Sequence, residues 1–162
     1  MKNIHQKKYH TARESAHNYF RKNRKILSPL LGIVHLKPES LLHLVYSDKY
    51  HKKKRDEKQQ IKRFHLVPYA RRIIESMGFH QEYLEQYQKV FIKEKKHKVL
   101  ATKLVRYWGF VAIIDNKIRV KIVLRQVGEG QIHFWSIIPF WKTRYYKGVT
   151  YTDLSTGNLE TE

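Results

Sequence analysis

Between Ile118 and Arg125 the chain alternates, with Ile118, Val120, Ile122 and Leu124 set against Arg119, Lys121, Val123 and Arg125. Successive strand side chains point to opposite faces, so this is a half-buried strand with one apolar and one cationic face. Such a strand needs neighbours and a covering layer, and the flanking sequence supplies the neighbours. Leu104 to Ile114 is rich in aromatic and β-branched residues and ends at Asp115-Asn116, a suitable two-residue hairpin turn. Gly128-Glu129-Gly130 makes a second turn, Gln131 to Ile138 a third strand ended by Pro139, and Gly148 to Leu154 a short fourth.

Upstream the apolar period is helical. Pro38-Glu39-Ser40 opens a helix carrying Leu41, Leu42 and Val45. Ile61, Phe64, Tyr69, Ile73, Ile74 and Met77 fit a second amphipathic stretch, with Pro68 at a helix start and Gly78 as its stop. Tyr83 to Ile92 fits a third helix, although its aromatic and β-branched content leaves a strand open. The expected fold class is α+β, with N-terminal basic helices packed on a C-terminal antiparallel sheet of about four strands. The expected divisions are a basic helical extension over 1–35, a domain over 36–154 and a flexible tail over 155–162. Within the domain, helices occupy 36–92 and the sheet 98–154.

Charge narrows the function classes. The 162 residues are 41% hydrophobic, enough for one core, yet 33 Lys+Arg outnumber 14 Asp+Glu for a formal charge of +19. Self-repulsion of that size points to a polyanionic partner. Residues 2–25 and 49–63 hold eight bases each and 89–98 hold five. No run of about 18 apolar residues marks a membrane span, and the start lacks an apolar signal core, so a cytoplasmic protein is expected. With no cysteine, disulfides and thiolate metal sites are excluded.

The two turns fix a register. A two-residue loop at Asp115-Asn116 sets Phe110 opposite Lys121, and a three-residue loop at Gly128-Glu129-Gly130 sets Arg125 opposite His133. One face then carries Arg106, Trp108, Phe110, Arg119, Lys121, Arg125, His133 and Trp135. The other carries Tyr107, Val111, Ile113, Ile118, Val120, Ile122, Leu124, Ile132 and Phe134 as core. Cations interleaved with aromatics suit single-stranded nucleic acid, because cations neutralise phosphates and rings stack on bases. With His133 to move a proton, the same surface suits metal-free cleavage of RNA through its own 2′-hydroxyl. Spacing alone leaves open a plainer reading, in which a basic outer face keeps a sheet soluble. His43 lies beside an apolar stripe, where a histidine is often a packing residue. His51, Lys52 and Arg55 form a basic run that fits either a solvated loop or a phosphate clamp. Asp115 with Lys117 and the distant Glu39 is a weak match to two-metal nucleases, and no cofactor or metal is expected.

Tyr107-Trp-Gly-Phe-Val-Ala-Ile-Ile-Asp115, Ile118-Arg-Val-Lys-Ile-Val-Leu-Arg-Gln-Val-Gly128 and Gln131-Ile-His-Phe-Trp-Ser-Ile-Ile-Pro-Phe-Trp-Lys142 resemble phage- and mobile-element-borne nucleases. These belong to the barnase/EndoU/colicin/RelE-like superfamily of ribonuclease toxins. Upstream, Glu39-Ser-Leu-Leu-His43, His51-Lys, Arg55, Ile61-Lys-Arg-Phe64 and Val67-Pro-Tyr-Ala-Arg71 look like its helical half. The resemblance implies helices on a four-stranded antiparallel sheet and metal-independent cleavage of single-stranded RNA or tRNA. By motif position it implies His43, Lys121, His133 and Ser136 as catalytic residues. His133 and His43 are expected as the acid–base pair, with Lys121 and Arg125 at the phosphorane. His51, Lys52, Arg55, Arg106, Arg119, Arg125, Trp135, Lys142 and Arg144 are the expected RNA contacts. A toxin implies an acidic antitoxin or immunity protein, and action in the host cytoplasm or in a cell into which it is delivered. A non-catalytic nucleic-acid-binding protein and a metal-dependent DNA nuclease are the alternatives.

Overall fold

A computed structural model describes residues 2–47, 52–114, 118–139, 141–146 and 149–154, with side chains described over 4–47, 52–114 and 119–139. The chain begins with helix α1 (Lys2–Lys22) and a short hairpin, β1 (Lys25–Ser28) and β2 (Gly32–His35). A 3₁₀ turn at Pro38–Leu41 leads into α2 (Leu42–Val45). Helices α3 (Glu57–Leu66) and α4 (Ala70–Ser76) follow, joined by a 3₁₀ turn at Val67–Tyr69. Asp56 caps α3 by accepting from the Gln59 N–H at 2.8 Å. Six more strands follow among the described residues: β3 (Glu82–Glu94), β4 (His97–Ile114), β5 (Ile118–Val127), β6 (Ile132–Pro139), β7 (Trp141–Tyr146) and β8 (Val149–Leu154).

The architecture is α+β, but the sheet is larger than expected and mixed. Six strands run in the order β1-β2-β6-β5-β4-β3, and β2 pairs with β6 in parallel. The expected fourth strand, β8, pairs instead with β7 in a separate two-stranded sheet. The stretch Tyr83–Ile92, read as a helix, lies in β3, where odd-numbered residues face water and even-numbered ones turn inward. Residues 1–35 contain the expected basic helix and also the hairpin β1–β2, and both join the main core. Ala12, Ala16 and Phe20 of α1 and Ile26 of β1 are buried with Phe64, Ile73, Ile122 and Phe134.

Register corrects the face assignment on β4. Ile114 pairs with Ile118, so three residues rather than two lie between the paired positions, and the turn itself, 115–117, lies outside the described residues. One added residue flips every β4 side chain relative to β5. Lys121 is therefore opposite Val111 and Arg125 opposite Tyr107. Trp108 and Phe110, expected beside the cations, sit in the core under the helices with Val120, Ile122 and Leu124. Arg106, also expected there, pairs with Gln126 on that same side. The other turn matches expectation: Gly130 N–H donates to Val127 O at 3.0 Å, and Arg125 pairs with His133.

The face away from the helices is not an open platform. Val105, Tyr107, Val123, Trp135, Ile138 and Val90 form a second, smaller core on it. A bulge between Val123 and Leu124 places both Trp135 and Ser136 of β6 within the space of one ladder step. Among the described residues no helix is long and apolar enough to cross a membrane. The expected flexible tail, 155–162, lies outside the described residues.

Candidate functional site

Directly paired strand residues share a face, and one row of pairs crosses most of the sheet. Lys25 pairs with His35, His35 with His133, His133 with Arg125, and Arg125 with Tyr107. At about 4.8 Å per strand the row spans about 19 Å. It contains two adjacent imidazoles, two cations and one ring, and no acid. Lys37 follows β2 and acts on both histidines through its charge. At the same sheet edge a cleft of about 350 Å³ is lined by Arg21, Arg24, Lys25, His35 and Lys37 with Phe20 at its side, and no acid among the described residues lines it.

His133 is half-buried and is the group most shifted by this setting. Burial above all pushes it down to about 4, helped by the charges of Arg125, Lys37 and His35 and opposed by a hydrogen bond to the backbone. Its Nδ1 lies 3.4 Å from Gln131 O. A carbonyl only accepts, so that contact keeps the ring proton on Nδ1 and leaves Nε2 as the basic nitrogen. His35 is also lowered, by burial first and then by Lys25 and Lys37.

Trp135 organises the groups around His133. The Arg125 guanidinium lies 4.1 Å from the Trp135 ring centre and 5.7 Å from that of Tyr107. His43 stacks on Trp135 with ring centres 3.4 Å apart, and His133 meets its edge at 6.1 Å. Trp135 itself is only 5% exposed, so it is a wall of the site and not a stacking surface for bases. Its buried Nε1 has no hydrogen-bond partner among the described residues. His43 is equally enclosed, and its stacking contact fits a residue that positions Trp135.

The remaining expected residues divide. Lys121 is buried with its Nζ 3.2 Å from Glu82 Oε2, an ion pair inside the fold that leaves it no access to a phosphate. Ser136 is buried too, and its Oγ accepts from Arg63 Nη1 at 2.9 Å, which ties α3 to the sheet. Arg106 is held by Glu85 at 2.8 Å and Glu129 at 3.4 Å. Arg119 is half-buried opposite Ile113. Arg55 is half-buried, with its backbone N–H donating to Val45 O, and Lys52 is exposed nearby. His51 lies outside the described residues, as do the side chains of Lys142 and Arg144 on β7. Thus His133, His43, Arg125 and Trp135 come together, whereas Lys121, Ser136 and Arg106 serve the fold.

His35, Lys25, Lys37, Arg21 and Arg24 were not expected in the site. His35 enters it only through the parallel pairing of β2 with β6, which no turn motif announces. No protein-family model, curated protein or solved structure matches this chain.

Proposed function

We propose that this chain is a metal-independent endoribonuclease acting on single-stranded RNA, with the reacting phosphate held beside His133 and His35. The observation that carries the reading is the direct cross-strand pairing of these two imidazoles between Lys25, Lys37 and Arg125. Nε2 of one histidine takes the 2′-hydroxyl proton as O2′ attacks phosphorus. The bond from phosphorus to O5′ then breaks, and the other imidazolium gives its proton to O5′. The products are a 2′,3′-cyclic phosphate and a free 5′-hydroxyl. The cations offset the added charge of the phosphorane. A docked phosphate also opposes the charges that depress both histidines, so substrate binding raises their pKa values toward the working pH.

Labelled single-stranded RNA and DNA incubated in excess EDTA provide the test. The expected result is RNA cleavage to cyclic-phosphate ends, slowed at least about 100-fold by His133→Ala or His35→Ala, with DNA intact. DNA cutting that EDTA abolishes overturns the proposal in favour of a metal-dependent nuclease. Binding without cleavage supports the second reading, a non-catalytic RNA-binding protein. The depression of His133 to about 4 favours that reading, because so weak a base transfers protons poorly at neutral pH. A ribonuclease of this kind arrests growth on expression, an arrest His133→Ala relieves, and an acidic inhibitor protein fits its cationic row.

A further inference from the structure

The strand pair β3–β4 runs well past the rest of the sheet. Its ladder is continuous from Glu82↔Gly109 to Glu94↔His97, while β5 meets β4 only from Val105 onward. Residues 87–94 and 97–104 therefore form a two-stranded arm about 27 Å long. The turn at its tip holds Lys95 at φ 53°. The arm carries six lysines, at positions 89, 93, 95, 96, 98 and 103, and one acid, Glu94.

Its two faces differ. Gln88 and Val90 are buried on one. The other presents Tyr87, Lys89, Phe91 and Lys93 in alternation along β3, opposite Leu104, Thr102, Leu100 and Lys98 of β4. Tyr87 is 75% exposed, Phe91 63% and Leu100 50%. Large rings left in water in a line, on a sheet face that could have been polar, mark a contact surface.

We infer that the β3–β4 arm is a docking platform for single-stranded nucleic acid, in which Tyr87 and Phe91 stack on bases while Lys89, Lys93 and Lys98 meet the backbone. Each ring has an ammonium as its next same-face neighbour along the strand, about 7 Å away. That repeat matches a ligand whose flat apolar groups and negative charges also alternate. The surplus of five positive charges on the arm requires an anionic occupant and argues against a purely apolar partner. The identity of the ligand agrees with the ribonuclease reading and is the only part that rests on it. The histidine row lies on the opposite face of the sheet, so the two contacts are separable. The arm gives the enzyme a grip on single-stranded sequence flanking the cleavage point.

A fluorescent 2′-O-methyl RNA dodecamer, which cannot be cleaved through its 2′-oxygen, reads the arm without reading catalysis. Anisotropy titration of the full chain is expected to show at least about tenfold weaker binding for Tyr87→Ala/Phe91→Ala. Tyr87→Phe/Phe91→Tyr restores it, which separates stacking from misfolding. Lys89→Gln/Lys93→Gln flattens the slope of log affinity against log salt by about 1.4. Because the dodecamer cannot be cleaved, failure of the arm and failure of the ribonuclease reading are told apart: the first shows in dodecamer binding and the second only in the cleavage assay. The inference is overturned if the alanine pair binds the dodecamer within about twofold of wild type. Two companion measurements then name the actual occupant. Release of the alanine pair from phosphatidylserine vesicles identifies a membrane surface, and a change in sedimentation from dimer to monomer identifies a second copy of the chain.

Discussion

The ammonium of Lys121 faces Glu82 across 3.2 Å with almost none of the lysine in water, while Glu82 keeps about a third of its side chain exposed. Removing the carboxylate charge leaves a cation in the interior of the sheet, so Glu82→Gln is expected to cost about 2 kcal/mol in urea unfolding. Adding Lys121→Met replaces the stranded charge by an apolar chain of similar length and recovers part of that loss. A double variant no more stable than Glu82→Gln would show that the pair is not what holds Lys121. His133 makes a different demand. Folding lowers it to about 4 from near 6.5, so between those values the unfolded chain binds a proton that the folded chain refuses. Its contribution is complete above about pH 6.5, is lost as pH falls toward 4, and levels off below that. The size is at most about 3 kcal/mol, and less because the ring keeps some contact with water. In unfolding curves at pH 7, 5.5 and 4, wild type should lose stability relative to His133→Gln as pH drops, and a difference that does not change with pH would contradict the assignment.

At the scale of elements, α1 shows how a basic segment can still be core. Its charges occupy most of the circumference, but Ala12, Ala16 and Phe20 make a narrow buried stripe, and Tyr9 at its edge donates to Gln60 Oε1 at 2.8 Å. Phe20 meets Phe134 edge-on at 5.3 Å, which pins α1 to the centre of the sheet. Phe20→Ala is therefore expected to destabilise the whole domain by about 3–5 kcal/mol in chemical denaturation. A loss under about 1 kcal/mol would mean that the helix is an appendage. The stripe was hard to read in the sequence because two of its residues are alanines, which carry little hydrophobic signal among so many lysines. Strand β5 was legible because one of its faces is apolar throughout. Strand β3 was not, because Tyr83, Leu84, Tyr87, Val90, Phe91 and Ile92 put apolar groups on both faces, and both a helical and a strand period fit them. Four-residue strands such as β1 and β2 are too short to establish any period. The site divided in the same way. A turn rule sufficed to pair Arg125 with His133, whereas His35 required a parallel contact between segments far apart in the chain. The error of one residue at 115–117 moved Trp108 and Phe110 to the wrong face, because strand periodicity fixes alternation but not its phase between strands.

For the whole molecule, the charge of +19 acts in two opposed directions. Within the folded chain it is repulsion, so added salt screens it and raises thermal stability. Toward the RNA proposed as its substrate it would be attraction, so the same salt is expected to weaken binding. General screening depends only on ionic strength, whereas a phosphate seated in the cleft between Arg21, Arg24, Lys25, His35 and Lys37 acts as a ligand of the folded state. Thermal melts in sodium phosphate and sodium chloride at matched ionic strength separate the two effects. At about ten times its dissociation constant, phosphate adds about 1.4 kcal/mol beyond screening, or about 4 °C for a domain of this size. Lys25→Gln/Lys37→Gln lowers the charge by only two of nineteen, so its melting temperature in chloride should change little while the excess in phosphate disappears. Equal melting temperatures in the two salts for wild type would mean that the cleft holds no phosphate. The charge near the histidines would then be part of the general field, and of the two proposed contacts with RNA only the β3–β4 arm would be left.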